Sequence, residues 1–541
     1  MHQQPRINDS VNYFMSELTS RIVAESGIST DRFHLGKIIL QSLKDAPDFV
    51  SQIDGGTNEP ESAGSVLARS VRCARALHAR GLRQGDVIAL MAPNHLHLCI
   101  PYYAALYLGV IIAPVDGNLV PNELQNVFKI TEPRIIFCQN EKYSDIQLAL
   151  GNAKLNPEIV TFDDGIGDTT SFTKFLDTGE SKSIDEDATA VLLPTSGTTG
   201  FPKHAALTHR NLVSTSPCKW SMCYKFPTPV NMLLMPSTLQ WISGLIQFNL
   251  CPIMRITRLQ TSKPATPQHL RELINNYKPQ FMPLSPILMN NLIKYHGDDG
   301  CDFSCFEMLL IGGSAVTKEL LADVKVDIIQ ITYYFYTKNH NLGVNVLVVL
   351  RVQRPGVRLD HNTEFSRSDN YNIDEPNVQG ELWLQGPGVF KEYYKNPSAT
   401  AEVFAADGWF KTGDLFYRDE RYNFHYVERI KMLLKYRGHQ VSPMELEAVI
   451  KSHPGVADVA VGGVPDLECG ELPVACVVRR PTAEVTARQI KDLVKETLSD
   501  AKQLRGGVIF LDRLPMTPSV KVDRKALRDV ILRGPRVTAD D

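Results

Sequence analysis

Ala190-Val-Leu-Leu-Pro-Thr-Ser-Gly-Thr-Thr-Gly-Phe-Pro-Lys203 is an apolar run that passes into a loop of glycines and hydroxylated residues and ends on a lysine. The run Ala190 to Leu193 predicts a buried strand, and the glycines allow the loop backbone to approach an anion closely. Lys203 adds a positive charge, and backbone N–H groups can donate to phosphate together with the hydroxyl groups of Thr195, Ser196, Thr198 and Thr199. A Walker loop is excluded, because its lysine directly follows a glycine. The stretch predicts a phosphate-binding loop rather than a flexible linker.

Helix and strand patterns alternate on both sides of this loop. Val66 to Arg80 has apolar residues at helical spacing, and Val87 to Met91 is typical of a buried strand. Such alternation predicts parallel sheets covered by helices. Leu98 to Val115 is apolar enough to raise the question of a membrane span, but two prolines and a glycine favour a buried helix that turns into a strand. Residues 1 to about 60 are interpreted as peripheral.

Composition limits the function classes. A chain of 541 residues needs at least two hydrophobic cores. Its composition, with 43% hydrophobic and 22% charged residues, is typical of a soluble enzyme. The net charge of −3 gives no basic surface for nucleic acid. The 10 cysteines contain no Cys-x-x-Cys pair, which favours reduced thiols in a reducing compartment. Neither a signal peptide nor a C-terminal Ser-Lys-Leu address is visible, so a cytoplasmic location is expected over a peroxisomal one.

The loop from Thr195 to Lys203 resembles that of the adenylate-forming superfamily, which includes acyl-CoA synthetases, 4-coumarate CoA ligases and beetle luciferases. His204 departs from the family, which usually has glycine there. The resemblance implies an α/β fold in two parts. The first is a large N-terminal domain, residues 1–430, with several subdomains of parallel sheets flanked by helices. The second is a small mobile α+β lid domain, residues 431–541.

The resemblance also assigns site residues. It implies ATP or AMP binding by Thr195, Ser196, Gly197, Thr198, Thr199, Gly200, Lys203, Gly312, Gly313, Ser314, Thr337, Asp414, Arg429, Lys431 and Gln440. Within that set, Asp414 and Arg429 match the family's ribose-binding pair, and Lys431 matches its hinge. Catalytic roles are implied for Lys203, Lys435 and Lys521, and contacts with coenzyme A for Arg437 and Gly438. Trp241 is expected to line the acyl pocket, with a place in the core as the equal alternative.

The segment from 326 to 354 departs most from the family. Related enzymes carry a magnesium-binding glutamate where Tyr334-Phe-Tyr-Thr-Lys338 places a lysine, and an ammonium group repels Mg²⁺. No metal ligand is therefore identifiable, and either Mg²⁺ is held by phosphate and water alone or the adenylation step is weakened. A diverged site and an error in the gene model are both open explanations. Val520, beside Lys521, also replaces a glycine of the family.

The function implied is that of an acyl-CoA synthetase using ATP, Mg²⁺ and coenzyme A. It would activate a small-molecule carboxylic acid, with fatty acids expected by analogy, as acyl-AMP and then transfer the acyl group to the thiol. Two alternatives stay open. Lys338, His204 and Val520 suggest a catalytically impaired relative that binds ATP or acyl groups. The stretches 435–441 and 502–508 are most similar to insect luciferases, which suggests a luciferase-like monooxygenase. The sequence predicts no oligomeric state.

Overall fold

The computed structural model describes residues 4–176, 188–195, 203–214, 230–295, 300–312, 320, 335–336, 347–348, 357–360, 376–420, 424–429, 434–481, 483–515, 522 and 524–537. Its helices are α1 Gln4–Ser26, α2 Leu35–Asp45, α3 Ala63–Ala79, α4 Cys99–Leu108, α5 Pro121–Thr131, α6 Tyr143–Ala153, α7 Phe172–Phe175, α8 His209–Ser214, α9 Ile242–Met254, α10 Pro267–Tyr277, α11 Pro286–Lys294, α12 Pro397–Val403, α13 Pro443–Lys451, α14 Ala487–Thr497 and α15 Arg524–Arg533.

The strands alternate with these helices over most of the chain. In chain order they are β1 Val50–Asp54, β2 Glu59–Ser62, β3 Val87–Met91, β4 Ile111–Pro114, β5 Ile135–Cys138, β6 Glu158–Thr161, β7 Thr170–Ser171, β8 Thr189–Thr195, β9 Lys203–Thr208, β10 Met232–Leu234, β11 Thr257–Gln260, β12 Phe281–Leu284, β13 Met308–Ile311, β14 Phe335–Tyr336, β15 Leu347–Val348, β16 Val357–Asp360, β17 Gln379–Leu384, β18 Glu392–Tyr393, β19 Phe410–Arg418, β20 Phe424–Arg429, β21 Leu434–Tyr436, β22 His439–Val441, β23 Val456–Asp466, β24 Gly470–Arg479 and β25 Gly507–Leu511.

An eight-stranded sheet in the order β18-β9-β8-β4-β3-β5-β6-β7 contains the strand before the phosphate loop. The six strands β8, β4, β3, β5, β6 and β7 are parallel to their neighbours. At the other edge, β9 is antiparallel to β8, and β18 is antiparallel to β9. Successive residues of a strand face opposite sides. Accordingly, Ile88 and Leu90 of β3 pack in the core with α3 and α4, whereas Ala89 and Met91 pack with α5 and α6. The predicted parallel sheet with helices on both faces is confirmed.

The apolar run from Leu98 to Val115 is the predicted buried helix followed by a strand. Helix α4 ends at Gly109, whose positive φ of 64° is the left-handed conformation that commonly terminates helices. Strand β4 follows directly, with every residue buried. In the part of the chain that the structure describes, no helix combines the length and the apolar character that a membrane crossing requires.

The interpretation of residues 1 to 60 as peripheral is wrong. Leu18 of α1 and Ile38 of α2 are buried in the main core, and β1 pairs in parallel with β11 inside a six-stranded sheet of order β13-β12-β10-β11-β1-β2. The fully buried guanidinium of Arg258 in β11 reinforces this pairing, because its Nη2 donates to Gln52 Oε1 of β1 at 2.5 Å. The segment therefore completes the second sheet of the N-terminal domain.

The C-terminal domain has its own sheet and its own hydrophobic core. Its five strands run in the order β22-β21-β24-β23, with β25 parallel to β24. The apolar residues that pack between this sheet and α13, α14 and α15 all lie between Leu434 and Val537. A large domain of parallel sheets and a smaller mixed domain are thus present as expected. The boundary at residues 430 and 431 stays a prediction, because 430–433 are outside the described residues.

Candidate active site

The two ends of the predicted phosphate loop lie side by side. Strands β8 and β9 are antiparallel, so that Thr195 pairs with Lys203, and Thr195 Oγ1 donates to the Lys203 carbonyl at 3.0 Å. The Lys203 Nζ lies 5.1 Å from the centre of the Tyr393 ring and 4.0 Å from Glu402 Oε2. The predicted ligands Ser196 to Gly200 are outside the described residues. The pairing fixes where the loop leaves and re-enters the sheet.

His204, the residue that replaces a family glycine, is a buried side chain of β9. Neighbouring strand residues alternate between faces, so His204 points away from the side occupied by Lys203. The His204 side chain is 1% exposed, and neither ring nitrogen has a hydrogen-bond partner among the described residues. Burial lowers the pKa of His204 to about 4. The histidine is therefore neutral at pH 7 and is accommodated as part of the core.

We expect the burial of His204 to make the fold sensitive to acid. Its pKa is lowered from 6.5 to about 4 on folding, so the unfolded chain takes up a proton first, and stability is lost as pH falls below about 6.5. Between pH 7 and pH 5 this site alone is expected to cost about 2 kcal/mol. Urea unfolding should show a larger loss of stability over that range for the wild type than for His204→Leu. An equal loss in both proteins would contradict this account.

The next residues that the resemblance assigns to ATP or AMP binding begin at the carboxyl end of β13. Gly312 follows that strand directly, and its N–H donates to the Leu284 carbonyl at the end of the parallel strand β12 at 3.0 Å. The role of Gly312 in binding ATP or AMP stays a prediction. The other residues predicted here, Gly313, Ser314 and Thr337, are outside the described residues.

The two residues predicted to bind ribose are direct neighbours. Asp414 in β19 pairs with Arg429 in β20, which are adjacent antiparallel strands of the sheet β16-β17-β19-β20. Asp414 is fully buried, and its N–H donates to Thr412 Oγ1 at 3.1 Å. The two motifs were assigned separately from sequence, and the sheet places them at one point.

Glu381 is a supporting residue that the sequence analysis missed. Its Oε1 accepts from the N–H of Gly413, the residue before Asp414, at 2.8 Å, and its Oε2 accepts from Trp383 Nε1 at 3.0 Å. Gly413 has a positive φ of 70°, which glycine adopts without strain. Glu381 therefore fixes the turn that presents Asp414. The stretch 380–387, Gly-Glu-Leu-Trp-Leu-Gln-Gly-Pro, also resembles the family, so a sequence signal for Glu381 was available.

The residues predicted near the thiol form a two-residue hairpin of the C-terminal domain. Strands β21 and β22 place Lys435 opposite Gln440, and the turn consists of Arg437 and Gly438. Both turn residues have positive φ, 45° and 81°, as the tight type I′ hairpin requires. Lys435 is buried, and its N–H donates to Glu471 Oε2 at 3.0 Å. The hairpin is thus held rigidly against β24.

This hairpin contacts the N-terminal domain at Trp241. The indole of Trp241, which precedes α9, lies edge-to-face with the imidazole of His439, with 5.6 Å between the ring centres. Trp241 is half-buried, so it is neither a fully enclosed core residue nor a free surface one. His439 was not predicted, although it stands inside the motif 435–441. Lys431 and Lys521 are outside the described residues.

The expected Mg²⁺ has no protein ligand that can be assigned. Among the residues that the structure describes, no three His, Cys, Asp or Glu side chains lie together in a way that suits a metal ion. Lys338, at the family's glutamate position, is outside the described residues. Coordination of Mg²⁺ by phosphate oxygens and water stays a prediction.

Comparison with known proteins gives matches over both domains. The family model of the AMP-binding enzymes matches residues 41–394, and that of the AMP-binding enzyme C-terminal domain matches residues 445–521. A luciferin 4-monooxygenase of Photuris pensylvanica is 29% identical over 91% of this chain and 93% of its own length. A 4-coumarate CoA ligase-like protein of Oryza sativa subsp. japonica is 31% identical over 84% of this chain and 85% of its own.

Solved structures show the same architecture. An o-succinylbenzoate CoA synthetase of Bacillus subtilis superposes with a TM-score of 0.75 at 22% identity, covering 91% of this chain and 97% of that one. The luciferase-like enzyme of the nonluminescent mealworm Zophobas morio has a TM-score of 0.64 at 26% identity, over 73% and 95% of the two chains. Because a family model matches well over half of the sequence, the chain belongs to the adenylate-forming superfamily of AMP-binding enzymes.

Proposed function

We propose that the protein is an ATP-dependent acid:thiol ligase, which activates a carboxylic acid as acyl-AMP and transfers the acyl group to coenzyme A. The observation that supports this is the contact of His439 with Trp241. It brings the hairpin with Lys435, the predicted thiol-step residue, to the side chain that is expected to line the acyl pocket. Relatives named as CoA ligases match most of the chain at 27–31% identity.

In the first step, a carboxylate oxygen attacks the α-phosphorus of ATP and pyrophosphate leaves. Carboxylate and triphosphate repel one another, so positive side chains must offset their charge at the point of attack. Lys203 is held at the end of the phosphate loop for this role, and Lys521 is expected to reach the carboxylate and the α-phosphate. Asp414 and Arg429 fix the ribose, which positions the α-phosphate for in-line attack.

In the second step, the thiol of coenzyme A attacks the carbonyl carbon of the acyl-adenylate and AMP leaves. Before this step, Lys521 must leave the site and a passage for the thiol must open. This requirement is the physical reason for a lid domain on a hinge. We place Lys431 at that hinge, with Arg437 and Gly438 along the path of coenzyme A. In the orientation seen here, the hairpin of Lys435 lies at the Trp241 side of the N-terminal domain.

The proposed substrate class is a medium-chain or long-chain fatty acid. Mass spectrometry after incubation with ATP, coenzyme A and a fatty-acid mixture should detect acyl-CoA of one chain-length class. Formation of AMP without any acyl-CoA would contradict the thiol step.

We also propose Mg²⁺ as the ion that accompanies ATP, and a cytoplasmic rather than a peroxisomal location.

Replacing Trp241 by alanine is expected to weaken binding of the acid. Removing a large apolar wall should raise KM for the preferred acid about 10-fold to 100-fold, with a smaller change in kcat. The comparison is with Trp241→Phe, which keeps an aromatic wall and should stay close to the wild type. Steady-state pyrophosphate release against acid concentration measures both constants. An unchanged KM in Trp241→Ala would show that the indole belongs to the core alone.

A luciferase-like oxygenase is the second candidate, because a luciferin 4-monooxygenase matches nearly the whole chain. It predicts oxygen uptake and light with luciferin and ATP. Acyl-CoA formation without oxygen uptake would favour the ligase. Light emission with no thioester from any acid would favour the oxygenase.

A further inference from the structure

A buried cluster of three charged residues joins the two domains. Lys502 Nζ contacts Glu123 Oε1 and donates to Glu445 Oε1 at 3.0 Å. Glu123 lies in α5 of the N-terminal domain, whereas Glu445 and Lys502 belong to the C-terminal domain. The side chains of Glu123, Glu445 and Lys502 are only 7%, 6% and 11% exposed. Two carboxylates and one ammonium are therefore removed from water at a single point of the domain interface.

Each carboxylate lies in the first turn of a helix. Glu123 lies in the first turn of α5 and accepts from the Val120 N–H at 3.3 Å. Glu445 lies in the first turn of α13, where its own N–H donates to Ser442 Oγ at 3.3 Å. A helix N-terminus favours negative charge, and the Val120 N–H adds a hydrogen bond to the Glu123 carboxylate within its own domain, whereas burial raises the pKa of Glu445 and its carboxylate is bonded to Lys502. Lys502 can then bridge them without reorganising either helix.

The backbone near Lys502 takes part in the same contact. The Ser499 N–H donates to Glu123 Oε2 at 3.1 Å, and its hydroxyl donates to Glu123 Oε1 at 3.3 Å. The space left beside the cluster is about 20 Å³, room for roughly one water molecule. The fit is therefore close, and a single carboxylate of the N-terminal domain receives a cation and two donors from the other domain.

The cluster holds the orientation that also places His439 against Trp241. Burial lowers the pKa of His439, so the ring is neutral at pH 7 and packs on the indole as an apolar group. Gly470 also lies near Ile287 of the N-terminal domain, since a Cβ added at Gly470 would stand 3.7 Å from Ile287 Cδ1. The Lys502–Glu123 ion pair exists only in this docked orientation, since its partners belong to different domains, whereas the Lys502–Glu445 pair lies within the C-terminal domain.

We propose that Glu123, Lys502 and Glu445 form a latch that fixes the C-terminal domain in this docked orientation and so favours the thiol step over adenylation. The inference rests on the proposed two-step function. A contact made in one of two orientations shifts their populations by its differential free energy, and breaking a buried pair removes that bias. Lys502 is thus a positioning residue, which acts on the reaction through the Lys435 hairpin.

Amide hydrogen exchange of the substrate-free protein tests the latch without any turnover. In Glu123→Gln and in Lys502→Met, exchange of the Ser499 amide is expected to accelerate about 10-fold or more, because local opening becomes easier. Glu123→Gln is the sharper variant, since its amide can still accept from Val120 and Ser499 and its change lies in the other domain. The matched control is Lys451→Met, which removes a pair with Asp458 inside the C-terminal domain.

The exchange result has three outcomes. Faster exchange at Ser499 with unchanged exchange in β24 supports a latch between domains. Faster exchange in β24 as well would mean that the cluster merely stabilises the fold of the C-terminal domain, and would overturn the proposal. Unchanged exchange at Ser499 in both variants would also overturn it. The Lys451→Met control is expected to match the wild type.

The rates of the two half-reactions provide a second test of the latch. Thioester formation from supplied acyl-adenylate should fall about 10-fold in Glu123→Gln and Lys502→Met, while acid-dependent pyrophosphate exchange stays within about twofold of the wild type. Equal losses in both half-reactions would contradict the latch. If the wild type activates no acid, the proposed ligase function fails, and the exchange measurement still decides whether the latch exists.

Discussion

Replacing Lys521 by alanine is expected to lower the rate of adenylation about 10³-fold, while thioester formation from supplied acyl-adenylate stays within about threefold of the wild type. The lysine is expected to stabilise charge on the carboxylate and the α-phosphate only in the first step. In the second step the lysine is expected to be outside the site, so its loss should not change the rate of thioester formation. The assignment comes from the motif 514–524, which is similar to that of the family.

Two assays separate these steps. Acid-dependent pyrophosphate exchange measures adenylation, and release of AMP from a synthetic acyl-adenylate with coenzyme A measures thioester formation. The matched control is Lys525→Ala, which removes a lysine four positions away on α15 and should leave both rates unchanged. Equal losses in the two assays for Lys521→Ala would show that the lysine acts on the fold or on both steps.

The second large effect is expected at Asp414. Its buried carboxylate should accept charge-assisted hydrogen bonds from the ribose hydroxyls, so Asp414→Ala is expected to lower kcat/KM for ATP about 10²-fold. Loss of both acceptors leaves the hydroxyls without partners in a site closed to water. The neighbouring Asp407→Ala serves as control, because Asp407 lies in an exposed turn of the same motif.

Replacing ATP by 2′-deoxy-ATP shows whether the effect of Asp414 passes through the ribose. The wild type should lose activity with the deoxynucleotide, and Asp414→Ala should lose much less, since the bond is already absent. The melting temperature of the variant is measured alongside, because Asp414 is buried. An identical deoxynucleotide penalty in both proteins would contradict the ribose assignment.

Local patterns predicted several of the described elements of the large domain. Each apolar strand and amphipathic helix is specified by residues within one short window, as β3 and the α4–β4 pair show. The first 60 residues were misjudged because their apolar faces are covered by distant partners. Strand β1, for example, pairs with β11, about 200 residues further along the chain. No local pattern reports such a pairing.

The candidate site was predictable as separate motifs and not as an assembly. The sequence identified Thr195, Lys203, Asp414 and Arg429, but only the sheets show that the first two and the last two are paired across strands. Glu381 and His439 were missed because their roles depend on what they contact. The contact between Glu123 and Lys502 joins residues 379 positions apart, so no local pattern reports it.

Acid-dependent release of AMP and pyrophosphate from Mg-ATP in the presence of coenzyme A distinguishes an active acid:thiol ligase from an inactive relative. The acids should span short, medium and long chains and aromatic carboxylates, with Lys203→Ala as the control. Release is expected to require an acid and to disappear in Lys203→Ala. This result would also show that the enzyme tolerates Lys338 at the family's glutamate position. Retained ATP binding with no release for any acid would contradict the ligase function and would favour the catalytically impaired relative.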